Sequence, residues 1–128
     1  MSRLPRLVSE AWEDREGPAV FGTVDTEGTA NLVYVNCVWK LNEEQFVIAD
    51  NYFHKTRANM DAGSRGSLLF LTSKRKSYQV KGAIHYHTSG KIYDTMRLWN
   101  ADIDPNRPGV GATVIRVEEV YCGAEKLV

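Results

Sequence analysis

Between Ala19 and Tyr121 the chain divides into six runs of strand-forming residues, and most of the gaps between them are too short for anything but a turn. The runs are Ala19 to Asp25, Thr29 to Leu41, Gln45 to Asp50, Ser67 to Ser73, Ser77 to His87 and Ala112 to Tyr121. Turn residues separate the first three at Asp25-Thr26-Glu27-Gly28 and Asn42-Glu43-Glu44, and the basic Lys74-Arg75-Lys76 separates the fourth from the fifth. Gaps this short make neighbouring strands antiparallel, because a parallel return needs a crossover of about a dozen residues. An open sheet of six strands would leave unpaired edges, so closure into a small barrel is expected.

The fifth run alternates without a fault. Tyr78, Val80, Gly82, Ile84 and Tyr86 share one face, and Gln79, Lys81, Ala83, His85 and His87 share the other. Helical spacing is confined to the margins. Leu4, Leu7, Val8, Ala11 and Trp12 predict an amphipathic helix closed by Gly17-Pro18, with Pro5 in its first turn. His54 to Ala62, ending at Gly63, predicts a short helix, and Ile92, Met96, Trp99 and Ile103 predict a longer one that Pro105 and Pro108 terminate. No repeat, linker or low-complexity segment interrupts the chain, so residues 1–128 are expected to form a single domain.

Sixteen basic residues balance sixteen acidic ones, which removes the broad positive field that nucleic-acid binding needs and leaves room only for a local anion site. Zero net charge also weakens self-repulsion and favours self-association. Cys37 and Cys122 lie far apart without a secretory signature, and no apolar run reaches membrane-spanning length. The expectation is a cytoplasmic protein with free thiols and no membrane partner.

The densest chemistry lies in Asp50-Asn51-Tyr52-Phe53-His54-Lys55-Thr56-Arg57-Ala58-Asn59, where a strand ends and a helix begins. Helix starts favour acidic residues, yet His54, Lys55 and Arg57 crowd this one. A bound phosphate would resolve the conflict through backbone N–H groups, the Thr56 hydroxyl and the Lys55 ammonium, with Asn59 one turn along from Lys55. The alternative is a solvated helix end carrying a modest electrostatic cost. Asn36 interrupts the apolar run Asn31 to Trp39; its amide either satisfies a neighbouring backbone group or faces a ligand. Cys37 reads as a small core residue. His85 and His87 could supply two metal ligands, but no third is fixed beside them, and no metal site is expected.

Taken together, His54-Lys55-Thr56-Arg57-Ala58-Asn59, Ser77-Tyr78-Gln79-Val80-Lys81-Gly82 and Val117-Glu118-Glu119-Val120-Tyr121 resemble the FMN-binding split β-barrels, the superfamily of pyridoxamine 5′-phosphate oxidase and of small bacterial FMN-binding proteins. The resemblance spans nearly the whole chain. It implies a mainly β fold, a six-stranded antiparallel split β-barrel with two to three flanking helices. It assigns the FMN phosphate to Lys55 and Thr56, and lays the isoalloxazine ring against the second and third strands at Val35, Asn36, Cys37, Ala49 and Asp50. Gln79 would reach the flavin from the other subunit, implying a homodimer with two equivalent interface sites. An FMN-dependent oxidoreductase acting on a small-molecule or electron-transfer partner is the function implied. A non-catalytic flavin carrier or sensor, and a haem-binding split barrel using His85 or His87, are the alternatives. The sequence ends soon after Tyr121, short of the C-terminal segment that holds flavin and substrate in the oxidase, so efficient oxidation of pyridoxamine 5′-phosphate is not expected.

Overall fold

A computed structural model describes residues 3–128. The elements follow the order α1 (Arg6–Glu13), β1 (Ala19–Val24), β2 (Ala30–Val35), β3 (Val38–Asn42), β4 (Gln45–Asp50), α2 (Lys55–Asp61), β5 (Gly66–Leu71), β6 (Ser77–Gly82), β7 (Ile84–His87), α3 (Lys91–Ile103), β8 (Gly111–Arg116), β9 (Glu119–Cys122) and β10 (Glu125–Lys126). The strands form a six-stranded sheet, β10-β9-β6-β5-β1-β2, and a four-stranded sheet, β3-β4-β8-β7, with antiparallel pairing throughout. Neither sheet closes on itself, and the arrangement is the expected antiparallel split barrel with three flanking helices.

Six runs become more strands because three of them break. The run Thr29 to Leu41 breaks at Asn36-Cys37, Ser77 to His87 breaks at Ala83, and Ala112 to Tyr121 breaks at Val117-Glu118. At each break the chain leaves one sheet and enters the other. The breaks at Ala83 and Val117-Glu118 are stitched together: the Arg116 N–H donates to the Ala83 carbonyl at 3.0 Å, and the Glu118 N–H donates to the Lys81 carbonyl at 3.0 Å. A Cβ on Gly82 would lie 1.6 Å from the Arg116 carbonyl oxygen, so only glycine permits this approach.

Two apolar layers result. Phe21, Phe46, Ile48, Leu68, Val80 and Ile115 fill the space between the sheets. Trp12 of α1 enters that core edge-on to Phe46 and Phe70, with ring centroids 4.9 and 5.0 Å apart. Each such ring pair contributes about 0.5–1.5 kcal/mol beyond simple burial. Val47, Ala49, Ala112 and Val114 point the other way, against Met96 of α3. Hence β4 is covered on both faces, which explains its unbroken apolar sequence.

The helices depart from expectation in detail. Pro5 precedes the first turn of α1 rather than joining it, and Leu7 is exposed. Ile103, the last residue of the repeat that predicted α3, is 53% exposed, and the helix ends there, two residues before Pro105. No helix among the described residues is long and apolar enough to cross a membrane.

Candidate functional site

The break between β2 and β3 is the open one. On one side of it lies a cleft of about 420 Å³ between the β2 edge, the end of β4 and the start of α2. Its apolar wall includes Val33, Val35, Ala49 and Phe53, and one end carries His54, Lys55 and Thr56. Arg107, from the loop after α3, also lines it and donates from Nη1 to the Cys37 sulfur. Asn31 donates from Nδ2 to Thr56 Oγ1 at 3.0 Å, which marks the Lys55 end. The cleft thus has Lys55 beside Thr56 and Arg107 beside Cys37 in its lining.

The floor is held from behind by a polar knot. Asp50 Oδ1 accepts from the Phe53 N–H at 3.0 Å, and Oδ2 accepts from the Tyr86 hydroxyl at 2.6 Å. Burial, helped by that carboxylate, pushes Tyr86 above its ordinary pKa of 10, so it remains a neutral donor. Arg57 stacks over the Tyr86 ring at 4.0 Å and donates to its hydroxyl at 2.9 Å. Asn51 and Asn100 exchange amide hydrogen bonds of 2.8 and 3.2 Å, tying the cleft loop to α3.

At the cationic end, Lys55 lies 3.7 Å from Asp25 with more than half its side chain exposed. The Asp25 carboxyl is held below its ordinary value chiefly by the backbone N–H of Thr29, with Lys55 adding to the effect. Thr56 is buried, and its hydroxyl retains a proton to donate while accepting from Asn31.

The structure brings Val35, Asn36, Cys37, Ala49, Lys55 and Thr56 to one cleft. It turns the side chains of two other expected site residues elsewhere. Asp50 is 2% exposed and its carboxylate is spent on Phe53 and Tyr86, because it anchors the loop instead of facing the cavity. Asn59 is also 2% exposed and donates to Thr23 Oγ1 at 3.0 Å, since its place on α2 turns it toward β1. Gln79, expected to reach the flavin of the other subunit, sits on the outward face of β6 between Leu69 and Tyr121, outside the lining of this chain's own cleft. Asn36 is not a buried amide: it is exposed at the break itself. Arg57, part of the basic cluster in the sequence, turns to Tyr86 and Asp61.

Arg107, Asn31, Val33 and Phe53 line the cleft without having been singled out by sequence. Asn31 and Val33 carried a usable signal, because they alternate in step with Val35 along the same strand. Arg107 carried none, since its place depends on how a proline-flanked loop folds back onto Cys37.

Residues 8–122 match the family model described as pyridoxamine 5′-phosphate oxidase. An uncharacterised protein of Methanocaldococcus jannaschii is 27% identical over 119 residues, covering 91% of this chain and 80% of its own. Among solved structures, an FMN-binding protein from Syntrophomonas wolfei superposes with a TM-score of 0.78 at 15% identity, covering 91% of this chain and 83% of that one. HutZ, the haem storage protein from Vibrio cholerae, gives 0.69 at 12% identity, covering 94% and 95%. Likeness at these identities speaks for the fold.

Proposed function

The chain belongs to the pyridoxamine 5′-phosphate oxidase family, and from that footing we propose that it is an FMN-binding flavoprotein acting as an oxidoreductase on a small molecule or electron-transfer partner. The observation that carries this is the composition of a single cleft. It joins an apolar wall to an ammonium and a buried hydroxyl at one end, and its volume of about 420 Å³ falls within the roughly 300–1,000 Å³ of small-molecule sites. A flavin mononucleotide needs a slot for its ring and charge neutralisation for its phosphate, and these residues supply both in kind.

Lys55 and Thr56 would hold the phosphate, with Lys55 exchanging Asp25 for the ligand. Val35, Cys37 and Ala49 would form the floor for the ring, and the exposed Asn36 amide would meet its polar edge. When bound, FMN supplies two-electron redox chemistry at that ring; the chain orients it and tunes its surroundings. His85 and His87, the ligands of the haem alternative, lie on β7 outside the cleft lining, so the flavin reading is favoured.

A homodimer belongs to the same proposal. Tyr34, Val20, Leu69, Gln79 and Tyr121 form one rung across the outward face of the six-stranded sheet. Tyr34, 78% exposed, both ends that rung and lines the cleft. A two-fold copy seated on this face would cover Leu32, Tyr34 and Leu69 and carry its own Gln79 toward the flavin.

The test is titration of apoprotein with FMN and with riboflavin, followed by light scattering of the loaded form. FMN is expected to bind at least tenfold more tightly than riboflavin, Lys55→Glu to erase that preference without lowering the melting temperature, and the loaded protein to be a dimer. Equal affinities for the two flavins would refute the phosphate assignment, and a fully loaded monomer would refute the interface.

A further inference from the structure

The open break has a second side. Beyond Asn36 and Val35, which both cavities share, lies another hollow of about 350 Å³ bounded by the end of α1, the start of β1 and the start of β3. Arg15 is its charged group, and it is held in place. Its guanidinium stacks on the Trp12 ring at 3.9 Å and donates from Nη1 to the Trp12 carbonyl at 2.9 Å. Trp12 is itself fixed in the core, 2% exposed, between Phe46 and Phe70.

Capping α1 in this way uses one donor of a group that has five. Among the described residues no carboxylate reaches ion-pair distance of Arg15; Glu13 acts on it only from farther away. Arg15 stays exposed to solvent, and the desolvation of its stacked guanidinium is the main cause that lowers its pKa from the ordinary arginine value. Other cations of the molecule do have carboxylate partners, as Lys40 with Glu43 and Arg57 with Asp61 and Asp50. A stacked, oriented guanidinium without a counter-charge, facing a polar hollow, is matched by a planar or tetrahedral oxyanion that accepts two parallel hydrogen bonds.

We propose that this second hollow binds the oxyanionic group, carboxylate or phosphate, of a small substrate, placing the remainder of that substrate across Asn36 at the edge of the flavin cleft. The binding of the anion stands on Arg15 alone, and only the adjacency to flavin rests on the function proposed above. Asn36, which lines both cavities, is then the gatepost between cofactor and substrate.

The experiment separates the two. FMN affinity is measured first for the wild type, Arg15→Gln and Arg6→Gln, the last removing an arginine of α1 whose side chain is 93% exposed. Each loaded protein is then titrated with benzoate and with inorganic phosphate, reading the flavin absorption band. Saturable perturbation by at least one probe is expected, weakened at least tenfold in Arg15→Gln and unchanged in Arg6→Gln, with FMN affinity equal in all three. Benzoate as the tighter probe identifies a carboxylate substrate, and phosphate as the tighter probe a phosphorylated one. Calorimetry of both probes on apoprotein reads the anion site without the flavin: heat present in wild type and lost in Arg15→Gln, alongside failure to bind FMN, would uphold the anion site and overturn the flavin reading. Absence of heat and of spectral change in the wild type, or equal affinities in wild type and Arg15→Gln, would overturn the anion site.

Discussion

The breaks at Ala83 and Val117-Glu118, and the break at Asn36-Cys37, perform the same topological act and have opposite fates. The first two face each other across a backbone approach so close that Gly82 has no room for a Cβ. They share backbone hydrogen bonds, and Val117 between them is fully buried. The third opens to solvent on both sides, with Asn36 exposed and a cavity on each flank. Passing a strand from one sheet to another interrupts its ladder of hydrogen bonds, and the freed groups must find partners or water. Where two interruptions coincide they satisfy one another and seal. Where one stands alone, the seal is partial: the Cys37 carbonyl accepts from the Ala49 N–H at 2.9 Å, while the exposed Asn36 is left to water or a ligand.

The sharpest way to break this contrast is Gly82→Ala. A methyl group 1.6 Å from the Arg116 carbonyl oxygen cannot be accommodated without separating the two stitched breaks. A loss of about 3 kcal/mol or more in urea denaturation is expected, in the range of overpacked core sites. A loss below about 1 kcal/mol would show that the closed corner yields as readily as the open one.

A smaller effect is expected at Glu118, which joins Arg65 and accepts a long 3.4 Å hydrogen bond from the Ala83 N–H. The hydrogen bond from Arg65 is the main cause that holds its carboxyl below the ordinary 4.5. A lowered folded-state pKa means that its contribution is complete above about pH 4.5 and fades as pH falls through the lower value. Glu118→Gln should therefore flatten the acid limb of the stability curve and cost at most about 1 kcal/mol near neutrality, since the pair is partly exposed. Thermal melts from pH 7 to pH 3 decide it: an acid limb as steep as that of the wild type would remove Glu118 from the closed corner.

The smallest expected effect is at Asn36→Ala, within about 0.5 kcal/mol of the wild type by the same denaturation, because an exposed side chain at an open break has no packing to lose. A loss comparable to that of Gly82→Ala would erase the distinction between the two corners.

How the sequence conceals these breaks is itself physical. The run Ser77 to His87 keeps its alternation through Ala83, because the inward and outward faces of the split barrel remain in phase when the strand changes sheets. Periodicity reports which face a residue takes, while the identity of the paired strand is set by residues far away in the chain. Asn36 did leave a trace, as the polar residue that interrupts an apolar run, and it marks the corner itself. The cationic end of the cleft was legible for a similar reason: Lys55 and Thr56 are neighbours in sequence and stay neighbours in space. Asp50 and Asn59 belong to the same stretch, yet their side chains were claimed by Tyr86 and Thr23, partners 36 residues away in each case. Arg107 came to its cavity through a contact with Cys37, 70 residues away, that no local pattern encodes, whereas the contact of Arg15 with Trp12 spans three residues and only its place beside a cavity depends on the distant β3.

The two-sided burial of β4 has a consequence for how the cleft moves. Amides of a strand covered on both faces open only when the whole domain opens, so those of Phe46 to Ala49 should be among the slowest to exchange with deuterium. Facing it across the cleft, β2 is the last strand of its sheet, paired on one side only, and its amides should exchange through small, frequent openings. One jaw is therefore anchored and the other springy, so binding of a ligand here is expected to slow exchange in β2 and leave that of β4 unchanged.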